Sequence, residues 1–196
     1  HELVRYLYSD GHILAVEKPA GLLTVPGRIV KDCVLSRVLE DFPTARIVHR
    51  LDLDTSGLVI LSLSKPSVSA MNRLFRERVI KKTYTALVNG LVTEDTGSID
   101  FPLAADPIDR PKQRLDRVSG KAALTRFEVI ERCNSETRLS LQPVTGRQHQ
   151  LRLHLALLGH PILGCDLYAD ETTYAKADRL MLHSTKMMFP HPVTQE

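Results

Sequence analysis

Apolar residues recur along this chain with two periods, and the switches between them mark its elements. His12-Ile13-Leu14-Ala15-Val16 is a near-continuous apolar run ended by Lys18-Pro19, which predicts a strand followed by a turn-rich loop from Gly21 to Gly27. A short helix is expected over residues 33–40, and residues 58–63 read as a buried strand. Pro66-Ser67 opens a helix in which Val68, Met71, Leu74, Phe75 and Val79 recur at helical spacing, leaving Arg73 and Arg76 on the opposite face. Residues 84–88 suit a strand, Asn89-Gly90 a turn, and residues 97–101 another short strand. Pro102, Pro107 and Pro111 then punctuate a stretch ending in Arg110-Pro111-Lys112-Gln113, which predicts an irregular surface loop carrying positive charge. Residues 124–131 and 137–141 pattern as an antiparallel pair, and a helix over 148–158 is stopped by Gly159-His160-Pro161. The acidic segment 166–178 reads as a loop before a last strand over 180–188. Strands outnumber helices and come in consecutive runs, so the class is α+β with a mainly antiparallel sheet.

At 196 residues the chain suits one sizeable core or two small lobes, and a single domain spanning 1–196 is expected. No apolar stretch reaches the ~18 residues of a membrane span, so no membrane role is implied. The opening His1-Glu2-Leu3 has neither an initiating methionine nor a charged-then-apolar leader, which reads as a trimmed chain without a secretory signal. Cys33, Cys133 and Cys165 lie far apart and are odd in number, so a reducing, cytoplasmic setting fits better than a disulfide framework. His149 and His154 miss the H-E-x-x-H spacing that puts two imidazoles on one helical face, and no metal is expected. Neither a phosphate loop nor a dinucleotide fingerprint occurs, so the chemistry must come from side chains without a cofactor.

Net charge is only +3, yet its distribution changes the picture. Between Lys65 and Lys82 the basic residues Lys65, Arg73, Arg76, Arg78, Lys81 and Lys82 face the single acid Glu77. A second block runs Arg110, Lys112, Arg114, Arg117, Lys121, Arg126 against Asp116. Either block alone could be a solvated face; together they suggest a phosphate-binding surface.

His49-Arg50-Leu51-Asp52-Leu53-Asp54-Thr55-Ser56-Gly57 packs ionisable groups directly ahead of the apolar run Leu58-Val59-Ile60-Leu61. An aspartate just after a histidine and an arginine, on a glycine-closed turn at a strand mouth, is held as a nucleophile needs; a plain turn whose aspartates bond backbone amides is the competing reading. Asp52 and Asp54 are two apart and face the same way in an extended stretch, so spacing does not separate them.

The pattern H-R-L-D-x-x-T-S-G resembles the signature of the RluA family of pseudouridine synthases, whose aspartate corresponds to Asp52. Lys81-Lys82-Thr83-Tyr84 is similar to the family's second motif and Thr145-Gly146-Arg147-Gln148-His149-Gln150-Leu151-Arg152-Leu153-His154 to its third. Flanking stretches agree: residues 15–22, Gly159-His160-Pro161-Ile162-Leu163-Gly164, and Leu182-His183. One departure stands out, since Cys165 occupies the place where many relatives have aspartate, and Asp166 follows it. The resemblance implies a mixed, mainly antiparallel bent sheet with flanking helices and a central catalytic cleft, with no separate N-terminal RNA-binding domain. It also implies an isomerase that turns uridine into pseudouridine in structured RNA, 23S ribosomal RNA or transfer RNA stem-loops, acting as a monomer. The alternative carried beside it is a non-catalytic RNA-binding or RNA-folding module.

The reaction breaks the C1′–N1 bond, turns the uracil and rejoins it through C5. It needs a carboxylate, a cation to orient it, a surface for the base and a path for the C5 proton. The resemblance makes Asp52 the essential carboxylate, compatible with attack at C6, attack at C1′ or removal of a C2′ proton, and Asp54 is then expected to bond the Thr55 or Ser56 backbone. It makes Arg152 the ion-pair partner of Asp52, with Arg147 left for phosphate or scaffold contacts. His149 shares a helical face with Arg152 at i,i+3. Tyr84 offers a face to stack uracil and a phenol near C5, and Leu182 resembles the aliphatic residue on the base's other side. Extruding the uridine leaves a gap that Arg50, beside His49, is suited to fill. Arg73, Arg76, Lys81, Lys82, Arg110 and Lys112 are the candidate phosphate contacts.

Overall fold

Hydrophobic alternation and turn chemistry generate, in the computed structural model, eleven strands and four helices among residues 3–196, the residues the structure describes. The opening His1-Glu2 lies outside them. In chain order they are β1 (Arg5–Ser9), β2 (Ile13–Lys18), α1 (Val34–Val38), β3 (Arg46–Ile47), β4 (Ser56–Ser62), α2 (Lys65–Arg76), β5 (Lys81–Asn89) and β6 (Thr96–Ile99). There follow β7 (Leu103–Ala105), β8 (Gln113–Leu115), β9 (Thr125–Cys133), β10 (Glu136–Pro143), α3 (Gln150–Leu157), α4 (Glu171–Ala175) and β11 (Leu182–Met188). Most strand pairs are antiparallel, while β4 and β11 run parallel, so the class is α+β as the sequence implies.

The chain divides into two compact units, one ending at Lys81 and including His183–Glu196, the other Lys82–Leu182. In the first, β4 pairs with β2 along one edge, from Ile13↔Ser62 to Lys18↔Gly57. Along its other edge it meets β3 and then β11. A strand flanked on both edges and covered by a helix is buried, and its run of apolar residues follows from that. Helix α2 begins where the Ser64 hydroxyl accepts from the Ser67 amide with Pro66 in the first turn, and it packs Met71 and Leu74 against Ile13, Ala15 and Ile60.

In the second unit β5, β10, β9 and β6 follow one another as antiparallel neighbours. Strand β10 shows the two-residue period clearly, burying Thr137, Leu139 and Leu141, and the two leucines share a core with Leu151 and Leu155 of α3. Helix α3 is buried on nearly every side from Gln150 to Leu155 and ends before Gly159, whose φ of +92° lies in the left-handed region a helix-ending glycine favours.

Three expectations change. The proline-punctuated stretch is a hairpin, β7 with β8, because Pro102 precedes the first strand while Pro107 and Pro111 fall in the connection, so none removes a ladder donor. The acidic segment holds the short helix α4, whose first turn is capped by the Asp170 carboxylate on the Thr173 amide. Strand β1, exposed throughout, carries no burial signal to predict it.

Candidate active site

The segment 49–57 is shaped by tethers from distant parts of the first unit. Where β3 leaves β4 after Ile47, the His49 ring takes over, its Nε2 accepting from the Ile60 amide at 2.9 Å while the ring stacks on Phe75 of α2. The Thr24 hydroxyl accepts from the Leu51 amide at 3.1 Å and donates to the Leu51 carbonyl at 2.9 Å. Past Asp52, the Leu53 carbonyl accepts from the Gly21 amide and from Lys18 Nζ, both at 2.9 Å. The backbone is thus held on both sides of Asp52, whose side chain is half-buried, and Arg50 stays exposed. The turn closes through the Thr55 amide donating to the Asp52 carbonyl at 3.2 Å. The sequence expects the Asp54 carboxylate to bond the Thr55 or Ser56 backbone; of these two amides, that of Thr55 is taken by the i,i+3 backbone bond.

Lys18 is a buried residue beside this turn that the sequence did not single out. It is fully buried at the end of β2, and the three protons of its ammonium are matched by three carbonyls, those of Pro19, Leu22 and Leu53. Burial pulls its pKa down to about 8, opposed by the nearby Asp54 and Asp52 carboxylates. A lysine directly after an apolar strand was the available signal; which carbonyls it would meet was not. Lys18→Met is expected to cost about 2–4 kcal/mol by stranding those carbonyls. Because the folded pKa lies below the ordinary 10.5, the buried charge opposes folding fully below about pH 8. That penalty is withdrawn as pH rises toward 10.5, so the stability gap between wild type and Lys18→Met should widen over that window. Urea unfolding at about pH 7 and about pH 9.5 measures the gap, and a constant gap would contradict this account.

Beyond the turn, the Ser56 hydroxyl and His183 Nδ1 share a hydrogen bond of 2.7 Å, and the Ser184 hydroxyl donates to the Leu58 carbonyl. These bonds bind β11 to the mouth of β4. Arg73 and Arg76 lie exposed in the last turn of α2, and Lys81 is exposed at the start of β5.

In the second unit the third motif builds a hydrogen-bonded scaffold around α3. The Thr145 hydroxyl accepts from the Leu124 amide and donates to Gln150 Oε1, while Gln150 Nε2 donates to the Leu124 carbonyl and to Thr125 Oγ1. His154, fully buried, donates from Nε2 to the Phe101 carbonyl, so its Nδ1 accepts from the Thr125 hydroxyl. Burial lowers its pKa and keeps the imidazole neutral. Arg147 sits ahead of α3 and not on it; its Nε donates to the Ala122 carbonyl and its amide to Gln150 Oε1, a scaffold role.

Arg152 is 4% exposed. Its guanidinium donates to Asp166 Oδ1 at 2.6 Å and, through Nε, contacts Cys165 Sγ at 3.5 Å, with its centre 5.7 Å from the middle of the Tyr168 ring. The carboxylate that holds Arg152 is thus Asp166, the residue after Cys165. His149, at the helix start with φ 55°, hydrogen-bonds Tyr168 through Nδ1. Tyr84 lies half-buried on β5 opposite Leu141, and Lys82 Nζ lies beside Gly146. Leu182 is a core residue among Leu141, Leu151 and Leu180. Arg110 is exposed in the hairpin connection, and Lys112 is paired with Asp109 at 3.1 Å. Among the described residues no three His, Cys, Asp or Glu gather to hold a metal ion, and no helix is long and apolar enough to cross a membrane. The three cysteines are free thiols, Cys33 and Cys165 buried and Cys133 exposed.

Within this α+β fold the first unit clamps the backbone around one aspartate, and the second buries one guanidinium on a helix. The chain belongs to the RNA pseudouridylate synthase family, whose model matches residues 12–157, and it is an isomerase. It is 49% identical over 189 residues to the Dual-specificity RNA pseudouridine synthase RluA of Yersinia pestis, covering 95% of this chain and 92% of the relative. The protein of the same name from Escherichia coli strain K12 is 47% identical over 189 residues, 95% of this chain and 86% of its own length. Among solved structures, Human RNA Pseudouridylate Synthase Domain Containing 1 superposes with a TM-score of 0.84 at 27% identity, covering 95% of this chain and 78% of that one.

Proposed function

We propose that this chain acts as a single catalytic domain, isomerising uridines in the stem-loops of 23S ribosomal RNA and of transfer RNA. Asp52 is its essential carboxylate. The observation that supports this most directly is the tethering of Leu51 and Leu53 on either side of Asp52, which fixes where the carboxylate leaves the backbone before substrate arrives. Arg152 orients that carboxylate, Tyr84 stacks the uracil, and Leu182 supports the base from its other side. The uridine is extruded, Arg50 fills the gap next to His49, and the C5 proton leaves as N1 gains one. The dual specificity carried in the names of the two bacterial relatives supports more than one RNA target. Incubation with C5-tritiated transfer RNA and, separately, large-subunit ribosomal RNA from a strain lacking the enzyme tests it. Tritium release from both is expected, release from one would narrow the substrate class, and release from neither would overturn the reading.

The basic residues Arg73, Arg76, Lys81, Lys82, Arg110 and Lys112 supply phosphate contacts. RNA affinity should therefore fall steeply with salt, and Arg73→Ala with Arg76→Ala should flatten the slope of log K against log salt by about 1 for each phosphate that goes unneutralised. An unchanged slope would take α2 out of the RNA interface.

A further inference from the structure

We propose that Tyr168 is a positioning residue with two separable duties: its ring orients Arg152, and its phenol oxygen seats the basic hairpin β7–β8. The inference rests on the role given to Arg152 above. Tyr168 follows Asp166, the carboxylate that holds the Arg152 guanidinium. Its oxygen accepts from the Gln113 amide at 2.9 Å, and Gln113 opens β8 immediately after Lys112. The same oxygen lies 2.6 Å from His149 Nδ1. The phenol oxygen thus bridges the Gln113 amide and the His149 ring.

The ring does different work. It faces the guanidinium at 5.7 Å, meets His149 edge-on at 5.6 Å, and packs with Leu103 of β7, Ala123 and Leu153 of α3. Asp166 is about half exposed, with 51% of its side chain open to solvent, so its ion pair alone is a screened anchor. An aromatic face adds a planar constraint that a carboxylate at the tip does not. One side chain therefore links the helix carrying Arg152 to the hairpin carrying Arg110 and Lys112. Seating that hairpin and aiming the guanidinium become parts of one rigid arrangement.

The two duties separate by mutation. Tyr168→Phe keeps the ring and removes the oxygen, so KM for transfer RNA should rise about 3- to 10-fold with kcat nearly unchanged. Amide hydrogen exchange at Gln113 should accelerate in the same variant. Tyr168→Leu also loses the ring, and kcat should fall by about 3- to 30-fold. Adding Arg110→Ala and Lys112→Ala to Tyr168→Phe should cost less than adding them to wild type, since an unseated hairpin already presents those cations poorly. Identical changes of kcat and KM in both tyrosine variants, additive hairpin substitutions, or unchanged exchange at Gln113 would each overturn the proposal. If Tyr168→Leu does not fold, the exchange and KM measurements on Tyr168→Phe decide alone. A wild-type protein that released no tritium would instead bring down the functional reading, whereas an active wild type with indifferent Tyr168 variants brings down only this inference.

Discussion

Asp52→Asn is expected to abolish tritium release, with kcat/KM lowered by a factor on the order of 10⁴ or more, while leaving the protein folded. The substitution keeps the side chain's size, and the described bonds that shape the turn run through backbone atoms. Thr24 holds both polar groups of Leu51, Lys18 and Gly21 hold the Leu53 carbonyl, and Thr55 bonds the Asp52 carbonyl. Removing the charge also takes away one of the two carboxylates that favour the buried Lys18 ammonium, which should lower the melting temperature only slightly. Filter binding with transfer RNA should show affinity close to wild type, because the proposed phosphate contacts lie elsewhere. Retained product formation would remove Asp52 from the chemistry. Weakened binding together with abolished activity would recast it as part of the RNA interface.

Gly57→Ala should give a large loss of stability. Gly57 has φ +117°, which L side chains rarely adopt, and a Cβ there would sit 2.2 Å from the Ser184 carbonyl oxygen and 2.6 Å from its nitrogen. Both are backbone atoms of β11, paired in parallel through His183↔Ser56 and Ser184↔Gly57, so relief requires the strand to move. Such a move would also strain the Ser56–His183 hydrogen bond. Strain and steric overlap together should exceed about 4 kcal/mol, a large part of the roughly 5–15 kcal/mol typical of a folded domain. Little soluble protein is expected, and what is recovered should melt well below wild type. Gly21→Ala is the informative contrast: its φ of +84° is also positive, but a Cβ there meets nothing within 4 Å, so only the conformational cost of about 1–2 kcal/mol applies. Similar melting temperatures for the two variants would show that the contact with Ser184 is not what makes Gly57 necessary.

Local pattern carried much of this fold. The helix at Pro66-Ser67 was legible because its proline and its apolar spacing lie within one window of sequence, and the β9–β10 pair because its alternation is strict where it is buried. The hairpin at 103–115 was not, since three prolines argue against strands unless their position relative to the ladder is known. The separation of Arg147 from Arg152 was legible, but its cause was not. Helical spacing would turn the two apart around one helix, whereas the left-handed His149 between them leaves Arg147 outside α3 altogether, and only the folded backbone reveals it.

The sequence by itself determined the α+β class, the family and which aspartate to test first, because these depend on residue types at fixed spacing within short motifs. Tertiary structure alone decided that Lys18 and Thr24 fasten the turn around Asp52, and that Asp166 holds the Arg152 guanidinium. It alone decided that Tyr168 joins α3 to the basic hairpin. The physical reason is the same in each case. Such contacts join groups from separate stretches of the chain, and a hydrogen bond depends on distance and direction to within a few tenths of an ångström, which residue type and spacing do not encode.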